Sequence, residues 1–253
     1  MKAGITLRAY LTTAVARKSA MKNKKNLDRK EDEEMTLEEF REKAKDEEWA
    51  PGWDAVESVF KELYGEQDPA HYATDFTKRA MFGGTEYIDG YSVYKSANGY
   101  QHIVTFGMTE LYADEESLGG DYSRWGYEMT MKLPCENAND CLWAIDLLGN
   151  LGRYTYSKGS WFEPGHFMSN MGQPIKSGSD SLLTAILAVE DTEAKGIDTI
   201  YGRVDFLQFV GITNEEYEML KADPSKAMLL AEAMKKDNPF LVTDINRKKS
   251  YIV

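Results

Sequence analysis

Histidine and cysteine are scarce in this 253-residue chain, at three and two. His71, His102 and His166 stand 31 and 64 residues apart. No His-Glu-x-x-His pair exists, so a metal could be held only if distant segments converged. Cys135 and Cys141 lie six apart in LPCENANDC, a spacing that fits no zinc site, and no second pair completes one. A disulfide between them is sterically open. Stapled domains are usually small and cysteine-dense, however, so two free thiols in a reducing cytosol fit better. Long apolar runs are also missing. LLTAILAV (182–189) and FLQFVGI (206–212) are strand length, far short of the ~20 residues that span a bilayer. The expectation is a soluble, cytoplasmic protein without a membrane segment.

The usual signatures of chemistry are absent too. There is no G-x-S-x-G elbow, no phosphate-binding P-loop, and no G-x-G-x-x-G after a strand. No cofactor and no metal is expected. One faint nuclease echo is Asp180 followed by Glu193-Ala-Lys195. Such a site needs its carboxylates to converge on Mg²⁺ from adjacent strands, whereas Glu193 and Lys195 fall in a turn, DTEAKG.

The stretch SWFEPGHFM (160–168) sets Glu163 and His166 across Pro164-Gly165, among Trp161, Phe162 and Phe167. Burial among aromatics raises a glutamate pKa and lowers that of a histidine, which is how acid/base pairs are built. A hydrolase using Glu163 and His166 would still need a nucleophile, a metal or an oxyanion donor, and the sequence nominates none. The expectation is structural: Pro164-Gly165 turns the chain, the aromatics bury it, and the two polar groups bond to backbone. No catalytic residue is assigned.

What the chain has is acid. The net charge is −12, unevenly spread. Residues 1–34 carry nine Lys/Arg and five Asp/Glu, a net of +4, which leaves 21 basic and 37 acidic residues, a net of −16, in 35–253. Such a body repels nucleic acid and anionic lipid and attracts basic partners. LRAYLTTAVARKSAMK (7–22) loosely resembles a targeting segment but lacks a convincing cleavage site. KNKKNLDRKEDEE (22–34) has nothing to bury, so 1–34 is expected to be a disordered tail. Met21 and Met35 offer alternative starts.

Thr36 and Glu39 have capping-box spacing and open a lead-in helix within 35–50. In PGWDAVESVFKELYG (51–65), Trp53, Val56, Phe60 and Leu63 recur at helical spacing and Gly65 closes the helix. Strand alternation marks 86–96, 100–108 and 127–133, with Asn98-Gly99 as a hairpin turn. Asn139 or Asp140 is placed to cap a helix over 142–157. Strands over 182–190 and 199–212 and helices starting at Thr213 and near Ser225 complete the reading. Strands in runs separated by helices, without βα alternation, predict an α+β fold: a twisted, mostly antiparallel or mixed sheet flanked by helices in one domain over 51–253.

APGWDAVESVFKELYGEQDPAHY, DGYSVYKS, HIVTFGMTELYA, GYEMTMKL, WAIDLLGNLGRYTYSKGSWFEPGH, ILAVEDTE, IDTIYGRVDFLQFVGIT and NPFLVTDINRKKS, in this order over roughly 50–250, closely resemble the suppressor-of-fused domain family. The family's W-F-E-P-G-H is matched by Trp161, Phe162, Glu163, Pro164, Gly165 and His166, its E-D by Glu190 and Asp191, and its I-D-T by Ile197, Asp198 and Thr199. The resemblance implies a non-catalytic binding module. The animal member sequesters a transcription factor, partly by taking a peptide as an added strand. This chain looks like the stand-alone bacterial form, whose members resemble immunity proteins or antitoxins that neutralise secreted toxins. A basic toxin domain is the partner implied, with a signalling scaffold as the alternative. Glu190, Asp191, Glu193 and Asp198, flanking strands, are expected to be exposed and to form the contact.

Overall fold

The computed structural model describes residues 35–253; the tail expected over 1–34 lies outside the described residues. By backbone contacts the chain divides after Phe40. Helix α1 (Leu37–Lys43) opens with the expected reciprocal cap. The Thr36 N–H donates to the Glu39 carboxylate at 2.8 Å, and the Glu39 N–H to the Thr36 hydroxyl at 3.3 Å.

The second unit, 41–253, carries a mixed sheet of eight strands. They are β1 (Ala70–Ala73), β2 (Gly90–Lys95), β3 (Gln101–Phe106), β4 (Tyr122–Leu133), β5 (Phe167–Ser169), β6 (Leu183–Glu190), β7 (Ile197–Thr199) and β8 (Gly202–Thr213). The order is β1-β2-β3-β4-β8-β6-β5, with β7 beside β8; β4 and β8 run parallel and every other pair is antiparallel. The α+β expectation holds. The three strands the sequence reading missed, β1, β5 and β7, have three or four residues each, too few to show a period. The β2–β3 hairpin closes through Ser96 and Tyr100 around Ala97-Asn98-Gly99, with Gly99 at φ 83°, the left-handed position a three-residue loop requires.

Helix α2 (Pro51–Tyr64) has Pro51 in its first turn and no side-chain cap. Its first N–H groups, Gly52 and Trp53, donate instead to the Leu111 carbonyl at 3.0 and 3.2 Å. Contact is close enough that a Cβ on Gly52 would stand 1.8 Å from the Glu110 carbonyl oxygen. The buried face is Val56, Val59 and Phe60, while Leu63 is 36% exposed. The expected stripe is thus displaced at its end, where Tyr64 rather than Leu63 meets the sheet. Helix α3 (Leu142–Lys158) follows a 3₁₀ turn over Ala138–Cys141, and neither Asn139 nor Asp140 caps it. That turn supplies the preceding backbone curl. Helix α4 (Asn214–Ala222) starts on the capping box of Thr213 and Glu216, and α5 (Ala227–Lys235) follows.

Period-two alternation divides the core between the sheet's faces. Ile103, Met131, Leu207 and Phe209 pack beneath Ala144, Leu148 and Leu151 of α3. On the other face, Val104, Phe106 and Phe206 meet α2. Leu187, Val210 and Ile212 meet Leu220 of α4 and Leu230 and Met234 of α5. Between these two apolar patches the same face carries His102, Thr130, Lys132 and Gln208, all buried.

Candidate partner-binding site

A polar seam roofed on both sides must satisfy itself internally, and this one does so through Asp191. Strand β6 ends at Glu190, the Asp191 N–H still donates to the Phe206 carbonyl at 2.9 Å, and pairing with β8 resumes at Ile197. The residues between leave the sheet as an arch. The Asp191 carboxylate accepts from His102 Nε2 at 3.0 Å, the Thr130 hydroxyl at 2.5 Å and Lys132 Nζ at 3.1 Å. It also accepts the N–H groups of Glu193 and Ala194 at 2.8 and 2.9 Å, which folds the arch. His102 Nδ1 meets the Tyr64 hydroxyl at 2.7 Å, so both ring nitrogens have a partner. Lys132 Nζ also reaches Thr192 Oγ1 at 2.5 Å and Glu193 Oε2 at 2.8 Å. The Tyr100 hydroxyl donates to the same Glu193 carboxylate.

Burial pushes the Tyr64 phenol well above its ordinary pKa, with Glu193 adding to it; Tyr100 is pushed up to about 12, chiefly by burial. Burial alone would raise the Asp191 carboxyl. His102, Lys132 and Thr130 more than reverse this and hold it well below the carboxylate range. The arrangement is sealed from solvent at His102, Lys132 and Asp191. It therefore positions the arch and offers no surface to a substrate.

The expectation that all four acids are exposed is corrected here. Asp191 is buried, because its carboxylate is the hub of the seam. The Glu193 side chain is only 19% exposed and its charge faces Lys132. Glu190 is exposed, and Asp198 is 82% exposed with Arg203 at 3.8 Å. The arch thus presents Glu190 and Asp198 on its flanks. His102, Lys132, Tyr64 and Tyr100 were not foreseen as parts of one site. Lys132 sits in an alternating M-T-M-K-L, which reads as a strand with one wet face.

The SWFEPGH stretch places its residues differently. Pro164-Gly165 forms the expected turn, closed by the His166 N–H to the Glu163 carbonyl at 3.0 Å, with Gly165 at φ 91°. Phe162 is buried and meets Phe209 edge-on at 5.2 Å. Trp161 is only half-buried, and its indole N–H donates to the Glu163 carboxylate at 3.2 Å. His166 is exposed; its Nδ1 accepts from the Glu163 N–H at 3.2 Å, and its Nε2 stands 3.8 Å from the Glu163 carboxylate. Partial burial lowers the His166 pKa, with Glu163 opposing. Asp180 and Glu193 lie beyond opposite ends of β6, eight residues long and so roughly 23 Å end to end. The nuclease constellation does not assemble. Among the described residues no group of three or more His, Cys, Asp or Glu could hold a metal ion. Cys135 and Cys141 are free thiols. No helix among the described residues is long and apolar enough to cross a membrane.

The family model for suppressor of fused protein matches residues 84–248. The chain belongs to the suppressor of fused family. Suppressor of fused homologs of human and mouse are 28% and 29% identical to it over 211 residues, covering 78% of this chain and 43% of theirs. The chain thus spans less than half the length of these curated relatives. Among solved structures, the Sufu-Fu complex matches with a TM-score of 0.68 at 24% identity, covering 79% of this chain and 92% of that one. A putative suppressor of fused homolog from Neisseria gonorrhoeae matches with a TM-score of 0.55 at 17% identity, covering 80% and 98%. These structural likenesses show that the suppressor of fused sheet and its helices are the fold described above.

Proposed function

We propose that this suppressor of fused domain is a non-catalytic binding module that neutralises a basic toxin domain by direct, reversible contact, as an immunity protein. The observation that carries the reading is the net charge of −16 over residues 35–253. A surface of that sign attracts a cationic partner from beyond contact range and raises the rate of encounter. Toxins that act on nucleic acid are basic for the same electrostatic reason. Glu190 and Asp198, held out by an arch whose geometry the buried seam fixes, are the contact residues assigned. Asp191 and Glu193 act beneath them by holding the arch.

A signalling scaffold that sequesters a partner protein is the second reading, favoured by the Sufu-Fu complex among the matching structures. Co-expression with a toxin encoded next to this chain separates the two. Rescue of growth, with both proteins co-purifying, is the expected outcome. Neither rescue nor co-purification would leave the scaffold reading in place.

A further inference from the structure

The loop over 134–141 joins β4 to α3 and carries both cysteines of the chain, six positions apart. It is clamped from several sides. The Gln101 side-chain amide of β3 donates to the Cys135 and Glu136 carbonyls at 3.3 and 3.0 Å. The Tyr72 hydroxyl of β1 donates to the Asn139 side-chain carbonyl at 2.8 Å. Within the loop, the Cys135 N–H donates to the Leu133 carbonyl at 2.8 Å, and the Asp140 N–H to the Asn137 carbonyl at 3.1 Å. The chain therefore folds back until the second cysteine returns to the first, and the two thiols are side-chain partners of each other. Apart from that pairing, the Cys141 thiol meets the Asn137 carbonyl at 4.0 Å, a long contact for a weak donor.

The two sulfurs are unequal. Cys141 is sealed in the core with Ala144 and Leu148 of α3, whereas Cys135 packs on the edge of that cluster and is half-buried. The Cys141 thiol lowers the pKa of Cys135; burial and Asp140 oppose this, and Lys176 from the β5–β6 loop assists. The same partner, together with burial, pushes Cys141 up. The thiolate is the nucleophilic form, so one reactive, reachable sulfur stands in front of a sheltered one. An accessible thiol of lowered pKa beside a resolving thiol is the arrangement of an oxidant-sensing pair. A metal is not served by it, because among the described residues no group of three or more His, Cys, Asp or Glu could hold an ion. A hydroperoxide is small enough to reach a half-buried sulfur.

We infer that Cys135 and Cys141 form a reversible redox pair, oxidised to an intramolecular disulfide by a hydroperoxide and restored by a small thiol. The Cys135 sulfur attacks one peroxide oxygen. An S–O bond forms, the O–O bond breaks, and the thiol proton leaves with the other oxygen as an alcohol, or as water when the oxidant is hydrogen peroxide. The Cys141 sulfur then attacks the Cys135 sulfur. The S–S bond forms, the S–O bond breaks, and the departing hydroxide takes the Cys141 proton to become water. The pair loses two electrons and the peroxide gains them. Two successive exchanges with a monothiol reverse the change. The bond ties the end of β4 to the start of α3, and it is independent of which partner the acidic surface meets.

The test exposes the folded full chain to hydrogen peroxide, caps the remaining thiols with N-ethylmaleimide before unfolding, and reads intact mass and a tryptic map. The expected product takes no cap and is about 2 Da lighter than the reduced chain, the two hydrogens lost in one disulfide. The crosslink should map to the peptide over 133–153, which holds both cysteines, and dithiothreitol should restore two cappable thiols. The bond should form roughly tenfold faster in the folded chain than in urea, because the fold holds the sulfurs together. Cys141→Ala should stop at a sulfenic acid on Cys135, trapped by dimedone, and Cys135→Ala should leave Cys141 cappable. Cys141 lies in the core, so the mass and map of the parent decide the matter if Cys141→Ala does not fold. Passage of Cys135 to the sulfinic acid with Cys141 still cappable would overturn the inference. So would a disulfide between two chains, or equal rates in the folded and unfolded chain.

Discussion

The Lys132 ammonium lies 3.1 Å from the Asp191 carboxylate, and solvent reaches neither side chain. Fifty-nine residues separate them in sequence, so their pairing ties the end of β4 to the arch beyond β6. Removing one partner of a sealed pair leaves a charge with no water to solvate it. Lys132→Met is accordingly expected to cost about 3–5 kcal/mol in urea denaturation. Thr192 and Glu193 lose a donor in the same substitution. The double variant Lys132→Met/Asp191→Leu should recover part of the loss, because both charges then leave together. A cost under about 1 kcal/mol for Lys132→Met would mean that the arch opens and solvates Asp191.

Asp191 also sets an acid limit on stability. Its folded pKa is depressed against an unfolded value of about 3.9. The unfolded chain therefore takes up a proton before the folded one does. The contribution is fully present above about pH 5 and falls away as pH drops through 4 and below. Other carboxylates titrate in that range, so the informative quantity is a difference between proteins. Asp191→Asn should be less stable than the parent at pH 7, and its stability should fall less steeply between pH 5 and 2. Parallel slopes for the two would show that Asp191 titrates alike in the folded and unfolded chains.

Glu128 of β4 is buried with no cation paired to it among the described residues, yet five donors meet it. Its Oε1 accepts the N–H groups of Gly107 and Thr109 at 3.1 and 2.9 Å and the Thr109 hydroxyl at 2.7 Å. Its Oε2 accepts the Thr105 hydroxyl at 2.6 Å and the Met108 N–H at 3.3 Å. This carboxylate holds the turn that leaves β3. Burial nevertheless raises its pKa, with those donors opposing. Glu128→Gln turns an NH₂ toward donors and strands at least one of them, at about 1–3 kcal/mol each. The melting temperature should drop by about 2–4 °C for each kcal/mol lost. An unchanged melting temperature would mean that the turn reorganises around the amide.

The aromatics of the SWFEPGH stretch should separate cleanly. Phe162 is 6% exposed and packs within the α3-side core, so Phe162→Ala is expected to cost about 3–5 kcal/mol. Trp161 is half-buried and already partly solvated, so its truncation should cost less than that of Phe162. Guanidinium chloride midpoints of the two variants measure the order, and a reversed order would show that the indole anchors the turn.

Strand and helix positions were legible where a long element shows a period. The capping boxes at Thr36 and Thr213, the Pro164-Gly165 turn and β6 all lie where the residues predict. The site was less legible, because alternation reports that a strand has two faces and not what covers them. His102 reads as a structural residue within a strand, and Thr130 and Lys132 as the polar side of an alternating one. The covering elements are α2 and the segment around Phe240 and Leu241, whose carbonyls accept from Gln208 at 2.9 and 3.0 Å, and both lie far away in sequence. Asp191 misled for the same reason. An acidic residue after a strand is usually exposed, and only the fold brings Lys132 and His102 beneath it.

That burial decides how the acidic surface can be tested. Charge reversal at Asp191 would remove the hub of the arch and unfold the site, so any loss of binding would say nothing of contact. Glu190 and Asp198 are exposed, and neither supports the arch through the seam. Glu190→Lys/Asp198→Lys changes the surface charge by +4 and should melt with the parent. Against a cationic toxin domain, association should slow in this variant while dissociation changes less, because long-range charge acts on encounter. In the parent, association should also slow as salt rises, since charges more than ~8 Å apart are largely screened at physiological ionic strength. The variant should show a shallower salt dependence than the parent, with stopped-flow or surface-plasmon kinetics at 50 and ~500 mM salt supplying both slopes. Equal association rates and equal slopes for the two proteins would remove Glu190 and Asp198 from the contact and leave the rest of the acidic body to account for steering.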